Sequence, residues 1–379
     1  MIRRLNIDLI YLLILLLLIS LLYFKNKNID HQHLQFQINN NSYSELNKAY
    51  FESYLIQEPK FLKVSHASSV EVLNNGDLIS VWFAGSHEGK PDVKIWQSKF
   101  HNGNWSYAIP IITRQSLTNA DGRFASKLGN PVIYLDHNNI LHIFVVSVGL
   151  IGGWSGSNLN HFISIDNGTT WQFVGKLYLS PFANNSTLDR THAINLTNGG
   201  FYLPVYHEMI RKYPEILYFD ANAHFVSQIR LTSRNSFIQP AILPINKNMA
   251  FAYLRNSSKQ DHHLYYQTTQ DGGLTWSDIK QTNLNNRDSS VVVARLGDFK
   301  YLMVHNDIQG RNKLYLSWST NGYNWKNIYL IENAPQKEFS YPAIQIKNDF
   351  IDITYTYNRS AIKHLRFNQK WLFDKVQGI

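Results

Sequence analysis

The sequence contains no cysteine in 379 residues. It therefore has neither disulfides nor thiolate metal ligands, and an exported fold would have to hold together by core packing alone. Beyond the first 30 or so residues there is no long amphipathic stretch of 3.6-residue period, which excludes a helical bundle as the body of the protein. Charge is sparse, at 17% of residues, and the net +9 is spread along the chain instead of gathered in one block. That argues against a nucleic-acid-binding tail and leaves two readings, an acidic substrate or a merely basic surface. No Gly-rich phosphate loop and no Ser-His-Asp arrangement can be traced. The stretch YHEMIR at 206–211 begins like a zinc-protease helix, but Arg211 stands where the second histidine belongs. His31 with His33, and His262 with His263, lack companion ligands at the usual spacing. Neither a metal nor a cofactor is expected.

What is abundant is apolar and aromatic. Hydrophobic residues make up 44% of the chain and aromatics 14%, enough to bury a large core. Tyr, Phe, Trp, Val, Ile and Thr recur in short runs broken by Gly and Asn, so the fold class is all-β.

The N-terminus is the exception. Arg3 and Arg4 precede LIYLLILLLLISLLYF, residues 9–24, and KNKN follows. As a helix this run measures about 24 Å, a little short of the roughly 30 Å hydrocarbon core, and no small-x-small cleavage site follows it. The expectation is a transmembrane signal anchor over 1–26 with the arginines inside, an Asn-rich stalk over 27–55, and an exported propeller over 56–379, periplasmic or extracellular.

Repetition decides the architecture of that domain. Six segments share one pattern, namely SHASSVEVLNNGDLISVWFAG, LGNPVIYLDHNNILHIFVVS, DRTHAINLTNGGFYLPVYHE, FIQPAILPINKNMAFAYLRN, DSSVVVARLGDFKYLMVHND and FSYPAIQIKNDFIDITYTYN. Each has a polar starter, a short strand, a turn of Asn, Gly, Asp or Lys, and a second strand. Their turns fall near 76, 139, 199, 247, 297 and 348, a spacing that suits one four-stranded sheet per repeat and hence a six-bladed β-propeller. A second feature follows several hairpins. SIDNGTTW at 164–171 and TQDGGLTW at 269–276 fit Ser/Thr-x-Asp-x-Gly-x-x-Trp in full. STNGYNW at 319–325 keeps Gly322 and Trp325 but shows Thr320 where the aspartate is expected, and FHNGNWS near Trp105 is more degraded. The chemistry of the motif is structural, because the aspartate accepts turn amides, the glycine permits positive φ and the tryptophan plugs between sheets.

This motif, the Asp-box, together with the phased hairpins makes residues 60–367 resemble the sialidase (neuraminidase) superfamily, in its branch of bacterial BNR-repeat proteins. The resemblance implies a sialidase-like propeller whose active site lies on the axis, where the innermost strands begin. The two outer ends of each hairpin then meet at that face. His66 and His87, at the ends of the first hairpin, are expected there together. The starters His66, Asn130, Arg190 with His192, Gln239, Asp288 and Tyr341 are expected as a ring, with Arg255 among the residues at the strand ends.

The resemblance further implies three arginines on a substrate carboxylate, a tyrosine nucleophile sharpened by a glutamate, and an aspartate that protonates the leaving oxygen. Tyr341 falls on the nucleophile and Arg311 on the last arginine. His66 replaces the first arginine. The second lies near His263, with Arg255 the nearest guanidinium, and Gln239 replaces the glutamate. Asp92 or Glu88, in SHEGKPDVKIW, is the available acid. Three functions remain open. One is an exo-acting, sialidase-like glycoside hydrolase that removes a terminal acidic sugar. A second is a polysaccharide lyase acting on uronate glycans, with His66 or His87 as base, Arg255 or Arg311 with Gln239 on the carboxylate, and Tyr341 as proton donor. The third is a propeller that binds glycan without cleaving it. In each case the partner is an acidic glycan or polysaccharide.

Overall fold

The computed structural model describes residues 2–25, 34–38, 48–150, 152–179 and 186–378. It divides into two units, Met1–Leu34 and Gln35–Ile379. In the first, the apolar run is helical over Ile2–Lys25, with Leu9 to Leu18 exposed. Among the described residues no helix is long and apolar enough to cross a membrane, so the expected transmembrane span is not supported. Most of the expected stalk, 27–33 and 39–47, lies outside the described residues.

The second unit is all-β. Among the described residues, six antiparallel sheets account for every named strand, each sheet built mainly from strands consecutive in the chain. The blades are numbered here by their innermost strands: Val64–Val72, Lys127–Leu135, the pair Leu188–Asp189 and Ile194–Asn195, Phe237–Pro244, Val292–Gly297 and Phe339–Lys347. The turns between the first two strands of each blade fall where the hairpin pattern put them. Buried Val, Ile, Leu and Phe from neighbouring blades pack face to face; Ile79 and Val81 of blade 1 share a cluster with Ile133 and Ile143 of blade 2. Blade 6 is closed by Phe51–Leu55, which pairs antiparallel with Ala361–Asn368, Phe51 opposite Phe367. The stalk boundary at residue 55 is thus corrected: FESYL is the outer strand that ties the first part of the unit to the last. The C-terminal helix Gln369–Gln377 covers this seam, with Trp371 stacked 4.6 Å from Phe51.

The Asp-boxes join the third and fourth strands of blades 2, 4 and 5, and each locks its blade to the one before. The Asp166 carboxylate accepts the amides of Thr169 and Thr170 at 3.0 and 2.9 Å, and Asp271 does the same for Leu274 and Thr275. In the third copy the role expected to be lost at Thr320 is filled by Asn321, whose amide oxygen accepts Tyr323 and Asn324 N–H at 2.9 Å. That copy is one residue shorter, which hid the match. Across the blade boundaries Gln97 donates to Gly168 O at 2.7 Å, Tyr202 to Gly272 O at 2.9 Å and Tyr253 to Gly322 O at 2.5 Å.

Gly322 has φ +76°, and a Cβ there would lie 2.6 Å from the Phe251 ring. Gly322→Ala is expected to destabilise the propeller by about 2–4 kcal/mol, through left-handed strain plus overpacking. Urea unfolding monitored by tryptophan fluorescence checks this, with a lowered midpoint at unchanged m-value as the expected result.

Candidate functional site

At one end of the axis every innermost strand leaves its ladder. In blades 1, 2, 4 and 6 the strand carries an extra residue relative to its partner, between His66 and Ser69, Gly129 and Pro131, Ile238 and Ala241, and Ser340 and Ala343. The bulged residues Ala67, Asn130, Gln239 and Tyr341 have φ of 56°, 34°, 50° and 53°, and Asp288, just ahead of the blade 5 strand, has 47°. In blade 3 the strand is interrupted between Asp189 and Ile194. Three bulges are followed by Pro131, Pro240 and Pro342. A residue without an N–H suits a place where the ladder offers no acceptor. The recurring Asn/Gln/Tyr-Pro-Ala/Val-Ile was therefore a readable signal for the ring.

The bulges bring side chains from different blades together. Tyr206 of blade 3 receives hydrogen bonds from Asn130 at 3.3 Å and Gln239 at 3.1 Å. Arg255 donates to Gln239 Oε1 at 3.0 Å, to the Tyr341 hydroxyl at 3.2 Å and through Nε to Asp288 at 2.7 Å. Arg311 binds Glu338 at 2.9 Å and the Asp288 carbonyl at 3.3 Å. Arg359 holds Glu338 at 3.3 Å and also bonds Glu88. The guanidinium carbons of Arg190 and Arg311 lie 5.2 and 5.0 Å from the Tyr341 ring centre. The His66 ring stands edge-on to Tyr341 at 4.5 Å, its Nε2 4.0 Å from Glu338. Four guanidiniums thus meet three carboxylates around one phenol.

The electrostatics follow from this excess. Burial alone would raise the Tyr341 pKa, but Arg255 and Arg311 outweigh it and hold the phenol below the ordinary tyrosine value. Burial also opposes ionisation of Glu338, yet Arg311, Ser340 and Arg359 keep it below the usual carboxylate value. For His66 burial and the four arginines act in the same direction, so its pKa falls well below the histidine range and the ring is neutral. Its Nδ1 is buried with no hydrogen-bond partner.

Several expected site residues have other occupations. Arg190 is buried and spent on main chain, donating to Ser68 O and Pro342 O at 2.9 Å and to Tyr341 O, so it clamps the bulges of blades 1 and 6 and does not project as a ligand group. His87 is exposed, its Nδ1 against the Glu88 carbonyl at 3.2 Å, and the expected pairing with His66 does not form. The hairpin brings its ends together, but His87 lies beyond the last paired residue, Gly85. Asp92 is turned into its own loop, accepting Ser86 N at 2.7 Å and Ser86 Oγ at 2.9 Å. These bonds outweigh burial and hold its pKa down, so it is not poised to give up a proton. His263 is exposed and bonded to Asp261 at 2.8 Å, with no contact to the Tyr341 cluster. Glu338 was not foreseen, although it stands three residues before Tyr341 in KEFSYP. At the other mouth a separate cavity of about 630 Å³ is lined by Glu71, His192, Gln345 and Lys347 and does not include Tyr341.

A six-bladed propeller with Asp-box locks and an axial Tyr–Arg cluster defines a sialidase-like BNR-repeat propeller. The chain belongs to the family described as BNR repeat-like domain, which it matches over residues 76–353. No curated protein matches it. Among solved structures it is similar to a protein of unknown function from Dyadobacter fermentans, with TM-score 0.67, 14% identity, and 84% of this chain and 98% of that one covered. It is also similar to a Hadza microbial sialidase, with TM-score 0.68, 15% identity and coverage of 81% and 66%. A third is a Trypanosoma rangeli sialidase in complex with 2,3-difluorosialic acid, described as a covalent intermediate, with TM-score 0.63, 13% identity and coverage of 89% and 60%. The chain thus spans about two thirds or less of the two sialidases. At such identities the likeness establishes the fold.

The assignment of the perturbed phenol is testable by ultraviolet titration of the 22 tyrosines. Tyr341→Phe is expected to remove an ionisation below the ordinary tyrosine pKa. Arg255→Met is expected to move that ionisation to higher pH, because loss of the cation disfavours phenolate. An unchanged titration curve in both variants would refute the coupling.

Proposed function

We propose that this protein is a glycan-active enzyme, an exo-acting, sialidase-like glycoside hydrolase that removes a terminal acidic sugar with Tyr341 as nucleophile. One observation carries the reading. The Tyr341 phenol lies at the junction of Arg255, Arg190 and Arg311, in a field that favours the phenolate an oxocarbenium-like transition state calls for. Arg255 does electrostatically what a neighbouring glutamate would do by proton transfer, which is consistent with a glutamine at position 239. Arg311 and Arg359, which share Glu338 beside the phenol, are the groups for the substrate carboxylate. Glu88 is now held by Arg359. A substrate carboxylate that takes over Arg359 frees Glu88 to take up a proton from solvent and pass it to the leaving oxygen. His66, kept neutral by burial and the nearby arginines, packs edge-on against the Tyr341 ring.

A second reading, β-elimination by a polysaccharide lyase, is favoured by that same neutral His66 with its unpartnered Nδ1 beside Tyr341. For location, the proposal is an exported protein, periplasmic or extracellular, supported by the arginine-led apolar N-terminal helix. Activity at the cell exterior that survives in whole cells checks this.

Purified protein assayed on sialosides and uronate polysaccharides is expected to release a reducing acidic sugar with no rise in near-ultraviolet absorbance. Tyr341→Phe is expected to lower turnover by about a thousandfold or more, the scale of losing a covalent route. A fluorinated acidic sugar of the hydrolysed type is expected to add its mass to the peptide carrying Tyr341. An ultraviolet-absorbing product, abolished by His66→Ala, would transfer the assignment to the lyase. Binding with neither product would leave a glycan-binding propeller.

A further inference from the structure

The loop at residues 86–93 has two sides. On one, Glu88 bonds Arg359 in the candidate site. On the other, Pro91 and Val93 form one wall of a cleft of about 360 Å³, whose opposite wall is the helix Arg114–Asp121 with the turn after it. We propose that this cleft is a second glycan subsite, which binds the anionic chain extending from the sugar held at Tyr341; the proposal rests on the reading of an acidic glycan as substrate.

The cleft is built, and its walls are fixed. The loop is braced by Asp92 on Ser86 and by Val93 N to Lys90 O at 3.2 Å. The helix is only eight residues long but capped at both ends. Thr113 and Ser116 exchange side-chain to main-chain bonds at 3.0 and 2.9 Å, and Gly122 closes the last turn with φ 70°. Asp121 ties it to Lys176 of blade 2.

Inside, the chemistry suits an acidic sugar chain. Arg114 uses Nη1 on the Ser126 carbonyl at 3.3 Å, while its Nε is buried with no partner. Its guanidinium lies 5.9 Å from the Phe124 ring centre, and that ring is 53% exposed. Outside the cleft lining, Arg123 lies 5.6 Å over Tyr178, which is 54% exposed. Lys94 lines the cleft, and the Lys127 side chain lies over Gly89 of the shared loop, 3.5 Å from where a Cβ would stand. Of the carboxylates on these walls, Asp121 is paired with Lys176, and Asp92 is turned into its own loop on Ser86. The exposed Phe124 ring in the cleft offers an apolar platform for a pyranose ring, and Arg114 and Lys94 beside it offer partners for carboxylates. This composition suits a linear carboxylated oligosaccharide as the occupant.

The test is calorimetric titration of the full chain with a hexamer of α2,8-linked sialic acid and with hexagalacturonate, each beside its monosaccharide. At least one hexamer is expected to bind about tenfold more tightly than its monosaccharide. Phe124→Ala and Arg114→Gln are each expected to weaken that hexamer about tenfold, with monosaccharide affinity and turnover of a small aryl glycoside unchanged. Phe124 is exposed, so its variant keeps the test open should the Arg114 variant fail to fold. Hexamers that bind no better than monosaccharides, or cleft variants that weaken both alike, would overturn the subsite. Tyr341→Phe is expected to leave hexamer affinity within about twofold. If that variant keeps full turnover while the cleft variants still discriminate hexamer from monosaccharide, the hydrolase reading fails and the subsite stands.

Discussion

Six strands converging on one axis cannot all remain regularly paired and also turn side chains into the same small space. At this end of the propeller the conflict is resolved by letting each strand leave its ladder, through a one-residue bulge in four blades, an early turn in blade 5 and a gap in blade 3. Left-handed φ at Ala67, Asn130, Gln239, Asp288 and Tyr341 costs on the order of 1–2 kcal/mol at each residue. The surrounding structure holds that strain in place. Prolines remove N–H groups that would otherwise lack acceptors, and Arg190 pulls the carbonyls of Ser68, Tyr341 and Pro342 onto one guanidinium. Without this the Tyr341 hydroxyl would not reach Arg255 from two blades away.

The charge balance at the axis follows from that convergence. Four guanidiniums and three carboxylates leave a positive excess, and it lowers the pKa of both buried titratable rings beside it, with opposite consequences for their charge. A phenol gains a favoured anion, so Tyr341 falls. An imidazole loses its cation, so His66 is neutral. The replacement of an arginine by His66 is thus no simple loss of a carboxylate ligand. It leaves Arg359 and Arg311 as the guanidiniums on Glu338, and it places a neutral ring against Tyr341.

Much of this was legible in the chain. The hairpin repeat located the six inner turns, and the complete Asp-boxes located two of the blade locks, because both rest on local rules for turns and alternation. Tyr341, Gln239 and Arg255 were placed by the hairpin phase, which fixes where the paired inner strands start and end, and Arg311 by the family resemblance. The misses share a cause. Asn321 was concealed by a one-residue deletion, Phe51–Leu55 looked like stalk because a lone outer strand carries no hairpin signal, and Arg190 looked like a ligand because nothing in its neighbours reveals three carbonyls from other blades. His87 was carried to the site by the hairpin phase, but the loop beyond Gly85 turned it outward.

The sequence by itself determined the repeat, the blade count and which side chains stand at the start of each inner strand, since strand period and turn chemistry act over a few residues. Only the tertiary structure decided which of those side chains meet. Arg359, Glu338 and Glu88 come from parts of the chain up to 271 residues apart, and their pairing depends on closure of the ring of blades. The same holds for protonation, because the state of Tyr341 and His66 is set by burial and by the summed field of four distant arginines, quantities that no local stretch of sequence contains.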